Sequence, residues 1–157
     1  MITDQDFVEA TRRFDVLEKR GSFYNMAVNL INNDFEIEAY FLILATWNFA
    51  VFRYAVKDFD ISGFRNKIRG LSPYFEQLKN EDFKSIKFEN YKDSIAKIFE
   101  DLSSIEGVKY TGASKLMHLK NRSVFVMWDG YIKGNKPTKH YKGLRVRVWV
   151  NDTLNAV

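Results

Sequence analysis

The segment from Ile105 to Ile132, IEGVKYTGASKLMHLKNRSVFVMWDGYI, concentrates the residues whose types and spacing could do chemistry. Gly107 and Gly112 punctuate a turn, Lys109 and Lys115 flank the second glycine, and His118 follows Lys115 by three positions. Residues Val108 to Ala113 have the composition of a hairpin between helices, and the next helix is predicted to begin near Ala113. The unpaired N–H groups of such a helix start bind phosphate readily, and the two lysines add charge. Lys115 and His118 share one helical face. His118 there is either a proton relay, a contact to a polyanion or a partly exposed packing residue. The apolar run Val124 to Trp128 stops abruptly on Asp129, a natural N-cap for a following turn. A capping carboxylate can also face a cleft.

The elements that must position these groups read as helices. Phe7, Ala10, Phe14 and Leu17 recur at helical spacing over residues 4–20, with Thr3 or Asp4 as cap and Gly21 as stop. A second helix opens at Ser22 with the stripe Phe23, Met26, Ala27, Leu30 and Ile31, and Asn32-Asn33-Asp34 breaks it. The third, from Glu36 to Lys57, is apolar nearly all round and is predicted to be a central, enclosed helix. Thr46, Trp47 and Asn48 interrupt it with polarity. Asn48 either hydrogen-bonds within the core or lines, with Trp47, a pocket for a planar ligand. Phe64, Ile68 and Leu71 mark a short basic helix over 61–71, and Ser72-Pro73 is a start signal for a separate, brief one. Residues 80–90 read as polar connection, and Ile95, Ile98, Phe99 and Leu102 form a last stripe.

These patterns predict an all-α helical bundle in a single domain, 1–157. It comprises a scaffold over 4–104, the hairpin and site segment over 105–132, and a basic tail over 133–157. Within the tail, Leu144 to Val150 alternates apolar and basic residues, the period of a short strand. No second strand is evident, so it pairs across a homodimer, packs irregularly, or is not the native end of the domain.

Composition narrows the function classes. A chain of 157 residues that is 46% apolar with 14 Phe can bury a substantial core, which argues against disorder. With no cysteine, disulfides, thiolate zinc sites and iron–sulfur clusters are excluded, and two histidines exclude a histidine-rich metal site. No metal or cofactor is expected. The opening MITDQDF lacks a secretory pattern, and Asn48 and Arg53 interrupt the longest apolar stretch, so neither secretion nor a membrane span is expected. The expected compartment is the cytoplasm. Charge is uneven: residues 1–108 hold 14 Lys+Arg against 18 Asp+Glu, whereas residues 109–157 hold 10 against 2. A basic segment of this kind attracts polyanions by counterion release, nucleic acid being the commonest, unless it is a solvated face with no partner.

Tyr110-Thr111-Gly112-Ala113-Ser114-Lys115, followed by Val124 to Asp129, resembles the helix-hairpin-helix DNA glycosylase superfamily. That family is all-α, with an apolar-Gly-apolar-Gly hairpin, a helix bearing a catalytic lysine, and an apolar stretch ending in an essential aspartate. The likeness covers most of residues 30–135. Three departures stand out: Ser114 replaces the second hairpin glycine, Lys115 falls one position early, and the lysine–aspartate separation is about a turn short. The resemblance implies a base-excision repair glycosylase/lyase, a hydrolase acting on a damaged or modified base in DNA near the nucleoid. In that role Lys115, once deprotonated, would attack the sugar C1′, displace the base and form a Schiff base, while Asp129 would stabilise positive charge on the sugar. Trp47, Asn48 and Trp128 would line the pocket for the flipped base. Lys109, Gly112, Ser114, His118, Lys120 and Arg122 would contact DNA. Two alternatives use the same scaffold: a non-catalytic nucleic-acid binder, and a helical protein-interaction module whose basic tail meets an acidic partner.

Overall fold

The computed structural model describes residues 21–127 together with Gln5, Glu9, Arg12, Arg13 and Val16. Over residues 21–127 six α-helices follow one another: α1 (Gly21–Asn32), α2 (Glu36–Trp47), α3 (Phe49–Ala55), α4 (Ile61–Gln77), α5 (Lys92–Ser103) and α6 (Lys109–Lys120). Single 3-10 turns at Val56–Asp58 and Phe88–Tyr91 lead into α4 and α5. No strand occurs among the described residues, so the chain is an all-α bundle over this range. The five isolated N-terminal residues are helical and exposed, with Arg13 Nε 2.9 Å from Glu9 Oε1. The Phe7, Ala10, Phe14 and Leu17 stripe, Trp128, Asp129 and the Leu144–Val150 alternation lie outside the described residues.

Four helix boundaries differ from those predicted. Gly21, predicted as a stop, is the first residue of α1, and the buried face of α1 is rotated from the predicted one. Ala27, Leu30 and Ile31 of the predicted stripe pack inward together with Tyr24 and Val28, while Phe23 and Met26 are exposed. Ser72-Pro73, predicted to open a new helix, lies inside a continuous α4. Asp60 caps that helix by accepting the Gly63 N–H at 2.8 Å, and Phe64, Ile68, Leu71 and Phe75 then form one buried stripe. An interior proline costs about 3 kcal/mol. Burying Phe75 and Leu78 beyond it returns roughly 1.5–3 kcal/mol each, enough to carry the helix through.

The predicted central helix from Glu36 to Lys57 is two helices, bent by 113° at Asn48. Asn48 has φ −119° and ψ 18°, outside the helical well, and its N–H reaches back to the Ile43 carbonyl at 3.2 Å. Its own carbonyl accepts the N–H groups of Val51 and Phe52 at 3.0 Å, which starts α3. The side chain is 5% exposed and fully engaged. Its Nδ2 donates to the carbonyls of Gly107 and Val108, both at 3.0 Å, and its Oδ1 accepts from the Thr111 hydroxyl at 3.1 Å. Among the described residues no single helix is long and apolar enough to cross a membrane.

The turn between α5 and α6 is therefore bolted to the bend between α2 and α3. Gly107 sits at φ +83° in the left-handed region, and Lys109 at +55°. A side chain at Gly107 would place Cβ 2.7 Å from the Ala55 Cβ, so only glycine lets the turn lie against α3. The helix starts at Lys109, four residues before the predicted Ala113, which places Gly112 inside its first turn. There a Cβ would meet Asn48 Nδ2 at 2.9 Å and Val108 Cγ1 at 3.0 Å.

Around this junction the core fills with aromatic rings. Phe59 contacts Phe41, Phe52 and Phe64 with centroids 5.4, 5.3 and 5.4 Å apart, all T-shaped. Such edge-to-face pairs add to simple area burial. On the far side Val124 and Phe125 return to the core, with Phe125 set edge-on to Phe75. Asn121 turns the chain there: its Oδ1 accepts from Ser123 and Val124 N–H, and its Nδ2 donates to Leu78 O at 2.7 Å.

Replacing Asn48 with Ala should lower stability by about 1–3 kcal/mol, because two buried carbonyls and a hydroxyl lose their partner. Asn48→Asp should be worse, having no donor for the carbonyls. Urea unfolding measures both; a loss under about 0.5 kcal/mol, the size of an ordinary surface change, would show that the bend does not need this amide.

Candidate nucleic-acid interface

Half of α6 is committed to the core: Gly112, Ala113, Ser114, Leu116, Met117 and Leu119 are buried. Among the others, Thr111, Lys115 and His118, at spacings of four and three, form a narrow strip, and Arg122, just past the end of the helix, extends it beside Tyr24. Asn48 stands opposite Thr111, Trp47 opposite Lys115, and Tyr24 opposite His118 and Arg122.

Trp47, Tyr24 and His118 form a ladder of rings from three helices. The Tyr24 ring lies 5.6 Å from Trp47 at an interplanar angle of 21°, and 5.8 Å from His118 at 29°. All three are half-buried. His118 is locked at both nitrogens: Nδ1 is 2.6 Å from the Phe125 carbonyl and Nε2 is 2.8 Å from the Tyr24 hydroxyl. A carbonyl can only accept, so Nδ1 carries the proton and Nε2 accepts from Tyr24; the tautomer is assigned from these partners. Burial holds the His118 pKa below its usual value, the bond to the Phe125 carbonyl works against that, and the Arg122 charge adds to the lowering. Burial likewise raises the Tyr24 pKa, with the neighbouring Arg122 pulling it down. Near neutral pH both rings are uncharged, and the cations of the strip are Lys115 and Arg122.

The Lys115 ammonium donates to the carbonyl of Trp47, the last residue of α2. A cation on a helix C-terminal carbonyl complements the helix dipole, so Lys115 also secures the bend. Lys120 is engaged elsewhere: its Nζ lies 3.0 Å from Glu36 Oε1, the oxygen that accepts the buried Tyr40 hydroxyl at 2.7 Å. Lys109 and Arg122 are exposed.

The other predicted site residues fall as follows. Gly112 is buried and its N–H donates to Val108 O at 3.1 Å within the helix. Ser114 is 3% exposed, with its hydroxyl donating to Thr111 O at 2.9 Å. Asn48 is occupied by the hairpin, as above. Trp128 and Asp129 are outside the described residues, so the strip holds Lys115 and His118 of the predicted set, with Arg122 at its end and Trp47 beside it. Among the described residues no group of three or more metal-ligating side chains converges.

Two contributors were not singled out in the sequence, Tyr24 and Thr111. Tyr24 had a signal, since Tyr24, Ala27, Val28 and Ile31 also fall at helical spacing; the Phe23–Met26 alternative is equally periodic and more apolar. Thr111 had none, because its role depends on Asn48, 63 positions away.

Set against models of known families, curated proteins and solved structures, the chain matches none.

The state of His118 makes a pH prediction. The unfolded imidazole titrates near pH 6.5, the folded one lower, so between those values only the unfolded chain binds the proton. Stability should therefore fall as pH drops from about 6.5 until the folded value is passed. Thermal unfolding followed across this range should show the slope in the native chain and a flatter one in His118→Gln. Equal slopes would place the titration elsewhere.

Proposed function

We propose that this protein binds nucleic acid through the α6 strip and the rings beside it. One observation carries the reading: Lys115 and Arg122 flank His118 on a face where the Trp47 and Tyr24 rings stack. Cations neutralise phosphates by releasing counterions, while aromatic faces take up bases. The strip belongs to a segment, residues 109–157, that carries 10 Lys+Arg against 2 Asp+Glu, a balance of the sign that attracts a polyanion.

Binding to labelled oligonucleotides should weaken linearly in log–log form as salt rises. Arg122→Gln should lower affinity across all sequences and reduce the salt slope by about 1, the loss of one phosphate contact. Binding that ignores salt would contradict the proposal.

Base excision is the more demanding version, favoured by the half-burial of Lys115 beside aromatic rings. It requires the amine to leave the Trp47 carbonyl and to give up its proton before attacking C1′. Borohydride trapping of a covalent adduct on abasic DNA, lost in Lys115→Ala, is the expected outcome. Retained binding without trapping leaves a non-catalytic binder, and no binding at low salt removes both readings.

A further inference from the structure

We infer that the cavity between α3, α4 and the α5–α6 turn binds a small organic cation, an ammonium carried on an apolar stem. Its volume is about 410 Å³, within the range of about 300–1,000 Å³ typical of small-molecule sites. None of its lining residues belongs to the α6 strip, so the inference goes beyond the nucleic-acid reading and does not depend on it.

The chemistry of the cavity is divided by depth. Phe64 is buried and Phe59 and Ile105 are half-buried, which makes the floor apolar. Asp58, Asp60 and Glu106 are exposed, so three carboxylates stand at its mouth. Among the described residues Lys67 is the one cation of the lining, and its Nζ donates to the Ser104 hydroxyl at 3.0 Å. Three acids against one base make this a locally acidic place in a chain whose formal net charge is +4. Tyr54 also lines the cavity, but the Arg53 guanidinium lies over its ring at 4.6 Å, so that ring is a wall and not a stacking face.

These features select the ligand. An anion would meet like charge at the mouth. Calcium takes about 6–8 oxygens at about 2.3–2.6 Å, and among the described residues no group of three or more acidic or imidazole side chains is placed to hold a metal. Separated carboxylates above an apolar floor suit a larger cation. Its charge stays in the solvated mouth, where burial costs it little, while its stem covers the floor.

The walls are set by the core. Phe59 and Phe64 meet edge to face at 5.4 Å. The turn that carries Ile105 and Glu106 is held by Asn48, whose Nδ2 donates to the Gly107 and Val108 carbonyls, both at 3.0 Å. Asp60 Oδ1 is occupied by the Gly63 N–H at 2.8 Å. Among the described residues no hydrogen bond or ion pair ties up the carboxylate of Asp58 or Glu106, so these two face the ligand. A site with fixed walls needs little ordering when the ligand arrives.

The test titrates the full chain with phenethylamine, with its neutral isostere phenethyl alcohol, and with magnesium chloride, and follows backbone amide shifts by NMR. The amine should bind saturably, with its largest shifts at Asp58, Gly63 and Glu106, and about five-fold more tightly than the alcohol. Asp58→Asn and Glu106→Gln should each weaken the amine about three-fold, the usual worth of an exposed ion pair, and leave the alcohol unchanged. Both positions are exposed, so an unchanged melting temperature is expected of each variant. Equal affinity for the alcohol, shifts scattered away from the cavity, the same shifts from magnesium at equal concentration, or amine binding indifferent to both substitutions would overturn the inference.

Discussion

The amide of Asn48 is the point on which the rest of this structure depends. It lies where an eighteen-residue apolar segment would otherwise run on as one helix, and it satisfies two carbonyls and a hydroxyl of a turn some sixty residues away. An unsatisfied buried polar group costs about 1–3 kcal/mol, so the bend and the turn stabilise each other. The glycines at 107 and 112 are the steric counterpart: both positions lie too close to α2 and α3 to hold a side chain.

From that junction the candidate site follows almost by construction. Ending α2 at Trp47 frees a carbonyl that Lys115 can cap, and it sets the indole against Tyr24. Lys115 therefore serves the fold whether or not it serves a ligand, and any chemistry assigned to it competes with that structural bond. His118 is in the same position, since it pins the chain at Phe125 and joins the ring stack at once. A surface built from residues that also hold the core is pre-organised, which limits what must be ordered when a ligand arrives.

The charge distribution adds direction. The first 108 residues carry a slight acidic excess and the remainder, from Lys109 onward, a strong basic one, the sign that attracts a polyanion. Within the fold Glu36 offsets part of it, holding Lys120 and the buried Tyr40 hydroxyl on one carboxylate oxygen. Arg122, at the end of the strip, lies beside the Tyr24 hydroxyl and is exposed to solvent.

Much of this was legible in the residues themselves. The stripe Phe64, Ile68, Leu71 and the stripe Ile95, Ile98, Phe99, Leu102 are both buried as their periodicity requires, because apolar spacing of 3.6 residues has few other uses. The all-α class, the uneven charge and the placing of Lys115 and His118 on one face likewise follow from local order alone. The bend at Asn48, the start of α6 at Lys109, the rotation of α1 toward Tyr24 and the passage of α4 through Pro73 do not. Each is settled by atoms distant in the chain: two carbonyls of a turn, a close approach to Ala55, a ring stack, a stripe that continues past a proline. Periodicity reports which side of a helix is apolar, but where a helix stops is decided by which partner satisfies its open ends, and only the tertiary structure supplies that partner.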